Sequence, residues 1–504
     1  MNFLMQYIGK LLAFVSSLFR APPMQPWDGR RALIRWDNRD VWTIEESYEG
    51  MQVWGDIGSG KSSTIARVTA AAMLRAGYGG LVLTVKPEDT DEWRRNLAEN
   101  GRMEDAVFFG ADGGCFNFLA YELAHGARLK VGSKNATRIL TELVNMAQHD
   151  AQGGDPFWKQ SAEVLIGHTL DLIVAAGATP SMLLAKEIIQ SGPLSRDQAK
   201  DVQWQAQSKC WELIEAGRHS HANGSYDFRM AETYWLRDFP VLPDKTRQSI
   251  VATFSAGVAH HFCTGLMHQM FGGDTTVSPD DIFRGKIVIV NLPVLDYHAA
   301  GRFASIVWKF CVQLALQRRA DRKRPVFLFS DEAHYFVTDY DQLFQTTARS
   351  ARCATVYLTQ NRSNYLAESA GSAGQHRVQS LCACLKTQVL CQCSHEETRR
   401  AFSDSIGKHR VTQVSTTSQF GHGKTTHSET EHWVDEYWVS PDAATDLKTG
   451  GEANGFEVTA IMTKAGKRFS NGKPGLRLRF DQNNFEPTLR GHTVVAIPMR
   501  KRGE

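Results

Sequence analysis

Gly55-Asp56-Ile57-Gly58-Ser59-Gly60-Lys61-Ser62 carries the clearest chemistry in this chain. The spacing G-x4-G-K-S is that of a phosphate-gripping Walker A loop. Its glycines let backbone N–H groups converge on phosphate oxygens. Lys61 brings a point charge to the β- and γ-phosphates, and the Ser62 hydroxyl can ligate Mg2+. Ser63 extends the candidate nucleotide-lining run. Val53-Trp54 precede the loop and a helix-forming run, SSTIARVTAAAMLRA, follows it. Strand, loop and helix therefore succeed one another as the motif requires. ATP and Mg2+ are the expected ligands.

A second acidic corner completes such a site. In FLFSDEAH, Asp331 and Glu332 close an apolar strand. Asp331 is placed to hold the metal and Glu332 to polarise an attacking water. Gln360 ends the next apolar strand, ATVYLTQ, where its amide can contact the γ-phosphate or its water. Arg349 and Arg352 lie just before that strand. NTPases built as rings complete each site with an arginine from the next subunit, and either residue suits that role. Against this, each arginine also suits a solvated helix end. Cys382, Cys384, Cys391 and Cys393 form C-x-C-x6-C-x-C, which departs from zinc spacings. Period two also fits cysteines packing on one face of a strand; metal binding is left open.

These residues need a frame to hold them. The chain has 504 residues, too many for one hydrophobic core, so two or three units are expected. A net charge of +3 is too weak to argue for nucleic acid by itself. Nine cysteines without a small secreted framework point to a reducing cytosol. GMQVW, GGLVLTVK, AVFFG, KIVIVNLPV, PVFLFS and TQVLCQC read as strands, and the continuous apolar ones suit a parallel sheet covered on both faces. Between Ala120 and Arg218 the apolar spacing turns helical, which predicts an all-α insertion. The stretch 412–432 is rich in Ser, Thr, Gly and His and reads as a mobile loop. MNFLMQYIGKLLAFVSSLFR is apolar, short and broken by Lys10. A span takes about 20 apolar residues, so a helix lying in a membrane interface or on a partner helix is the better expectation.

Beyond the Walker motifs, several stretches resemble the conjugative coupling-protein family of type IV secretion systems, the TraG/TraD/TrwB-like ATPases. They are GDIGSGKSS with the following VLTVKPEDTDEWRR, DPFWKQSAEVLIGHTL (155–170), SPDDIFRGKIVIVNLPV, FLFSDEAHYFV, RSARCATVYLTQN and HEETRRAFSDSIG. Val85 stands where the family usually has Asp. The resemblance implies an α/β, RecA-like P-loop motor with a mainly parallel sheet and an inserted all-α domain. It implies a homohexameric ATPase at the cytoplasmic face of the inner membrane. Its partners would be single-stranded DNA, the relaxase or relaxosome, and channel components. The anchor would be peripheral or a single helix within residues 1–20, and a soluble cytoplasmic placement stays open.

The resulting division is an N-terminal helix and linker (1–30), the motor's first part (31–118), the all-α domain (119–225), the motor's second part (226–411), the loop (412–432), and C-terminal strands with a tail (433–504). Two rival functions share this frame. One is an FtsK/HerA-like pump for double-stranded DNA. The other is a nucleotide-switched adaptor for secreted proteins that moves no DNA.

Overall fold

The computed structural model describes residues 26–37, 39–149, 156–368, 371–421, 424–483 and 495–496. The expected helix within residues 1–20 and most of the tail lie outside them. Fourteen strands occur among the described residues: β1 Ala32–Arg35, β2 Val41–Thr43, β3 Met51–Trp54, β4 Gly79–Leu83, β5 Ala106–Gly110, β6 Ile287–Asn291, β7 Val326–Ser330, β8 Cys353–Thr359, β9 Thr387–Leu390, β10 Lys408–Gly421, β11 Lys424–Tyr437, β12 Glu457–Lys464, β13 Gly475–Asp481 and β14 Val495–Ala496. Nine of them form one sheet in the order β13-β12-β9-β3-β8-β7-β4-β6-β5. The seven strands from β9 to β5 run parallel. β12 and β13 add antiparallel at one edge.

Alternation along each strand explains the two covered faces. Leu81, Leu83, Val288, Val290, Val326 and Leu328 point into one core. Their neighbours Val82, Ile287, Ile289, Phe327 and Phe329 point into the other. Every residue of β3, β4, β7 and β8 is buried, which is why these segments read as unbroken apolar runs.

Eight helices matter for the site and its surroundings: α1 Arg67–Arg75, α2 Pro87–Glu99, α3 Phe118–Leu129, α4 Lys134–His149, α5 Pro156–Ala175, α6 Val294–Arg318, α7 Asp339–Ala348 and α8 Glu396–Ile406. Between β5 and β6 the described chain is helical, with α3, α4 and α5 at its start. This insertion is not a separate ball. Leu140, Leu143, Ile166 and Leu170 share one apolar cluster with Leu81, Val288 and Trp308. Burial therefore welds it to one face of the sheet. α6 is long and apolar enough to cross a membrane, yet 78% of its apolar window is buried inside the protein, as expected of a central core helix.

Two expectations are corrected. The stretch 412–432 is not a loop: it lies in a β-ribbon, β10 paired antiparallel with β11 from Lys408↔Tyr437 to Gly421↔Lys424. Its β-branched Thr and Val residues favour extended backbone, which outweighs the polar composition. Cys382 and Cys384 do not share a strand face. They end a helix, Gly371–Cys384, whereas Cys391 and Cys393 follow β9.

Candidate functional site

Parallel strands deliver their carboxyl ends to one edge of the sheet, and the loops after β3, β4, β7 and β8 converge there. The loop after β3 turns through Gly58 and Gly60, both in the left-handed region. A Cβ on Gly60 would also sit 2.6 Å from Val458 of β12, so only glycine fits. Lys61 is buried, and its Nζ donates to the carbonyls of Gly55 (2.6 Å) and Asp56 (3.0 Å). The loop is tied to its neighbours by Gly55 N–H donating to the Gln360 carbonyl and by Ser394 N–H donating to Asp56 Oδ2. Ser59 Oγ is buried without a partner. The helix after the loop opens with a π-turn, Ser62–Ala66, before α1.

β3 and β7 are separated by β8, yet their loops meet. Ser62 Oγ donates to Asp331 Oδ2 at 2.5 Å across 269 residues of sequence. This oxygen-only pair suits a hard divalent cation. Glu332 is in the left-handed region at φ 50° and is 8% exposed. Gln360 Nε2 donates to its Oε1 at 3.0 Å. Its Oε2 is buried without a hydrogen bond. Burial pushes the Glu332 carboxyl above its ordinary range; the Gln360 hydrogen bond opposes this and Asp331 adds to it.

His334 Nδ1 lies 3.5 Å from Glu332 Oε2, the distance of an ion pair. It is not one at neutral pH. Burial, then the nearby Arg302, push His334 down to about 4, so the ring is neutral there. Its nearer contact is Thr359 Oγ1, at 3.1 Å.

Sequence reasoning met the loop after β4 only as part of the family resemblance and assigned no site residue to it. β4 lies beside β7, so this loop opens next to Asp331. Lys86 lines a cavity of about 310 Å3 with Glu332, His334, Gln360 and Glu368. Asp89 and Glu92 of α2 line a second, water-sized cavity with Ser62, Asn96 and Asp331. Burial, then Asp331 and Asp89, push Glu92 up to about 7. The run VKPEDTDEW directly after a core strand was the available signal, but the adjacency of β4 and β7 was not.

Arg349 and Arg352 lie at the opposite, amino end of β8. Arg349 pairs with Glu45 at 2.6 Å, and Arg352 donates to the Lys323 carbonyl at 3.1 Å. Seven residues of strand, roughly 23 Å, separate them from Gln360. Neither reaches the phosphate loop of its own chain. Ile57 and Ser63 sit on the rim, and Ser63 Oγ accepts from Gln482 Nε2. Among the described residues no group of three metal-capable His, Cys, Asp or Glu side chains occurs. Cys391 packs in the same core as Val53, whereas Cys382 and Cys393 pack with Tyr365 in another.

Residues 325–448 match the protein family described as the TraM recognition site of TraD and TraG. Three solved structures share the fold. The bacterial conjugative coupling protein TrwBdeltaN70, in its unbound monoclinic form, is 16% identical, with a TM-score of 0.55 over 86% of this chain and 84% of that one. The plasmid coupling protein TrwB in complex with ADP and Mg2+ gives 16% and 0.54 over 87% and 86%. TrwB with a non-hydrolysable ATP analogue gives 16% and 0.54 over 92% and 90%. A comparison with curated proteins finds no match. The resemblance to the coupling-protein family is therefore carried by sequence over residues 325–448 and by an α/β, RecA-like fold over most of the chain.

Proposed function

We propose that this chain is a nucleotide-hydrolysing coupling protein of conjugation, working with ATP and Mg2+ at the cytoplasmic face of the inner membrane. The observation that carries the reading is the corner where Ser62 meets Asp331 beside a half-satisfied, buried Glu332. TrwB structures holding ADP with Mg2+, or an ATP analogue, support nucleotide binding.

Each residue's task follows from its place. The loop from Gly55 to Ser63 wraps the phosphates with backbone N–H groups. Lys61 leaves its two carbonyl contacts to meet the β- and γ-phosphates. Ser62 and Asp331 would hold Mg2+, which when bound would neutralise phosphate charge. Glu332 takes the proton of the attacking water, and its elevated proton affinity suits a base. Gln360 fixes the carboxylate's orientation and senses the γ-phosphate from the end of β8. Arg349 is 61% exposed on its side-chain surface and lies at the far end of the sheet, so it serves a neighbouring copy in a ring, most simply a homohexamer. Arg352 is held by the Lys323 carbonyl and is the weaker candidate.

The cargo in this reading is relaxase-bound single-stranded DNA or protein, passed to a type IV secretion channel. The segment 325–448 is the natural place for a relaxosome contact, since its family is described by TraM recognition. Lys61→Ala should abolish hydrolysis while the fold persists; full activity in that variant would remove the site assignment. Stimulation by single-stranded DNA, compared with double-stranded DNA and with none, separates this motor from a duplex pump or a protein adaptor.

A further inference from the structure

The β10–β11 ribbon is a two-stranded sheet that pairs with no other described strand. Fourteen paired residues per strand reach about 45 Å. Only its root is held. Tyr437 Oη donates to Asp404 Oδ1 of α8 at 2.9 Å, and His409 stacks on Trp438 at 4.0 Å. Beyond Val411 and Val434 every residue whose burial is described, 412–418 and 428–433, is exposed. An isolated two-stranded ribbon is marginal in water, and both of its edges are unpaired. One of its faces is chemically distinct. Trp433 (70% exposed) is directly opposite Thr412, and Val414 (55% exposed) is opposite Glu431, with Glu429 next along. Toward the root this face carries Lys408 and Arg410, the latter paired with Asp435 at 3.6 Å; from Trp433 to Glu429 it is apolar and acidic, and no cation pairs with Glu429 or Glu431 among the described residues.

The chain carries a complementary surface on a different element. At the α3–α4 corner, Arg128, Leu129, Lys130 and Val131 are all exposed. Leu129 is 50% exposed, and no anion pairs with Arg128 or Lys130 among the described residues. The corner is stiff. Lys130 is held in the left-handed region, and a Cβ on Gly126 would lie 2.0 Å from the Gly132 carbonyl oxygen. A non-glycine residue in that region costs about 1 kcal/mol or more and marks an over-determined turn.

We propose that the acidic, apolar face of the ribbon docks on the basic, apolar Arg128–Val131 corner of a second copy of this chain. Trp433 and Val414 cover Leu129 and Val131, while Glu429 and Glu431 face Arg128 and Lys130. The ribbon's placement agrees with this partner. It springs from α8, which begins just after Ser394, and Ser394 is bonded to Asp56 of the phosphate loop. That side must be covered by a neighbour if Arg349 acts between copies, so the inference rests on the ring reading above.

Charge exchange tests it on the full chain. Particle mass is measured by light scattering at low salt, with Mg2+ and a non-hydrolysable ATP analogue. Glu429→Lys with Glu431→Lys, and separately Arg128→Glu with Lys130→Glu, should each weaken assembly about tenfold or more. All four positions are exposed, so circular dichroism should stay unchanged. An equimolar mixture of the two variants should assemble again, because in alternating order every reversed ribbon meets a reversed corner and every native ribbon a native one. Unweakened assembly of both variants overturns the ribbon contact and leaves the ring reading standing. Failure of the mixture to recover also overturns it. If the unaltered protein stays monomeric under these conditions, the ring reading falls first and this inference with it.

Discussion

Two buried carboxylates, nine residues apart in sequence, meet opposite fates. Asp341 of α7 is fully buried and fully engaged. It pairs with Lys309 of α6, and Gln313 Nε2, Tyr357 Oη and the Thr338 N–H also donate to it. Glu332 is almost as buried, yet one of its oxygens has no partner. A buried polar group without a partner costs about 1–3 kcal/mol, so folding alone does not explain Glu332. The contrast teaches where to look for chemistry: the satisfied node locks helices α6 and α7 to β8, and the unsatisfied one is where the proposed function puts its base.

Exchanging the two roles by mutation breaks the comparison most sharply. Asp341→Asn leaves the Lys309 ammonium buried without its counter-ion and should lower unfolding free energy by about 3–5 kcal/mol. Denaturant titration reads this, and turnover per folded molecule should survive. Glu332→Gln should do the reverse, cutting turnover by about 10²–10³ while nucleotide binding and the denaturation midpoint hold. If Glu332→Gln unfolds the protein, or Asp341→Asn abolishes turnover without destabilising it, the distinction fails.

Gln360→Ala sharpens the comparison at smaller scale. It removes the hydrogen bond to Glu332 and frees the carboxylate to swing, and turnover should fall about tenfold with little change in stability. An unchanged rate would show that Glu332 is oriented by the backbone alone.

The smallest effects are in pH dependence. The folded state holds His334 neutral down to about pH 4, whereas the unfolded chain protonates it near 6.5. Its contribution is thus present above about pH 6.5 and lost as pH falls toward 4. Glu92 has the opposite sign. Raised to about 7, it favours the fold below the ordinary carboxylate value near 4.5, and that contribution is lost as pH rises to 7. The two windows overlap and oppose each other, so His334→Gln should tilt the stability profile toward acid pH and Glu92→Gln toward neutral pH. Urea midpoints between pH 4 and 7.5 check both, and parallel profiles for both variants and the parent would refute the placement of these groups.

The strand, glycine turn and helix around Gly55 to Ser62 were legible because their geometry is local. Gly55 to Ser62 need only each other, a preceding strand and a following helix, and the strand FLFS announced Asp331 and Glu332 by the same logic. Apolar runs without alternation foretold a sheet covered on both faces, since side chains point both ways from one strand. The ribbon was hidden because polar Ser and Thr residues that pair across strands look in sequence like those that line a loop. What only the tertiary structure decided were relations between distant segments. Strand order set β4 beside β7, which brought Lys86, Asp89 and Glu92 to the site. The length of β8 put Arg349 beyond reach of its own phosphate loop. The separation of satisfied Asp341 from unsatisfied Glu332 arose the same way, because hydrogen-bond partners are assigned by packing across the sheet and not by neighbours along the chain.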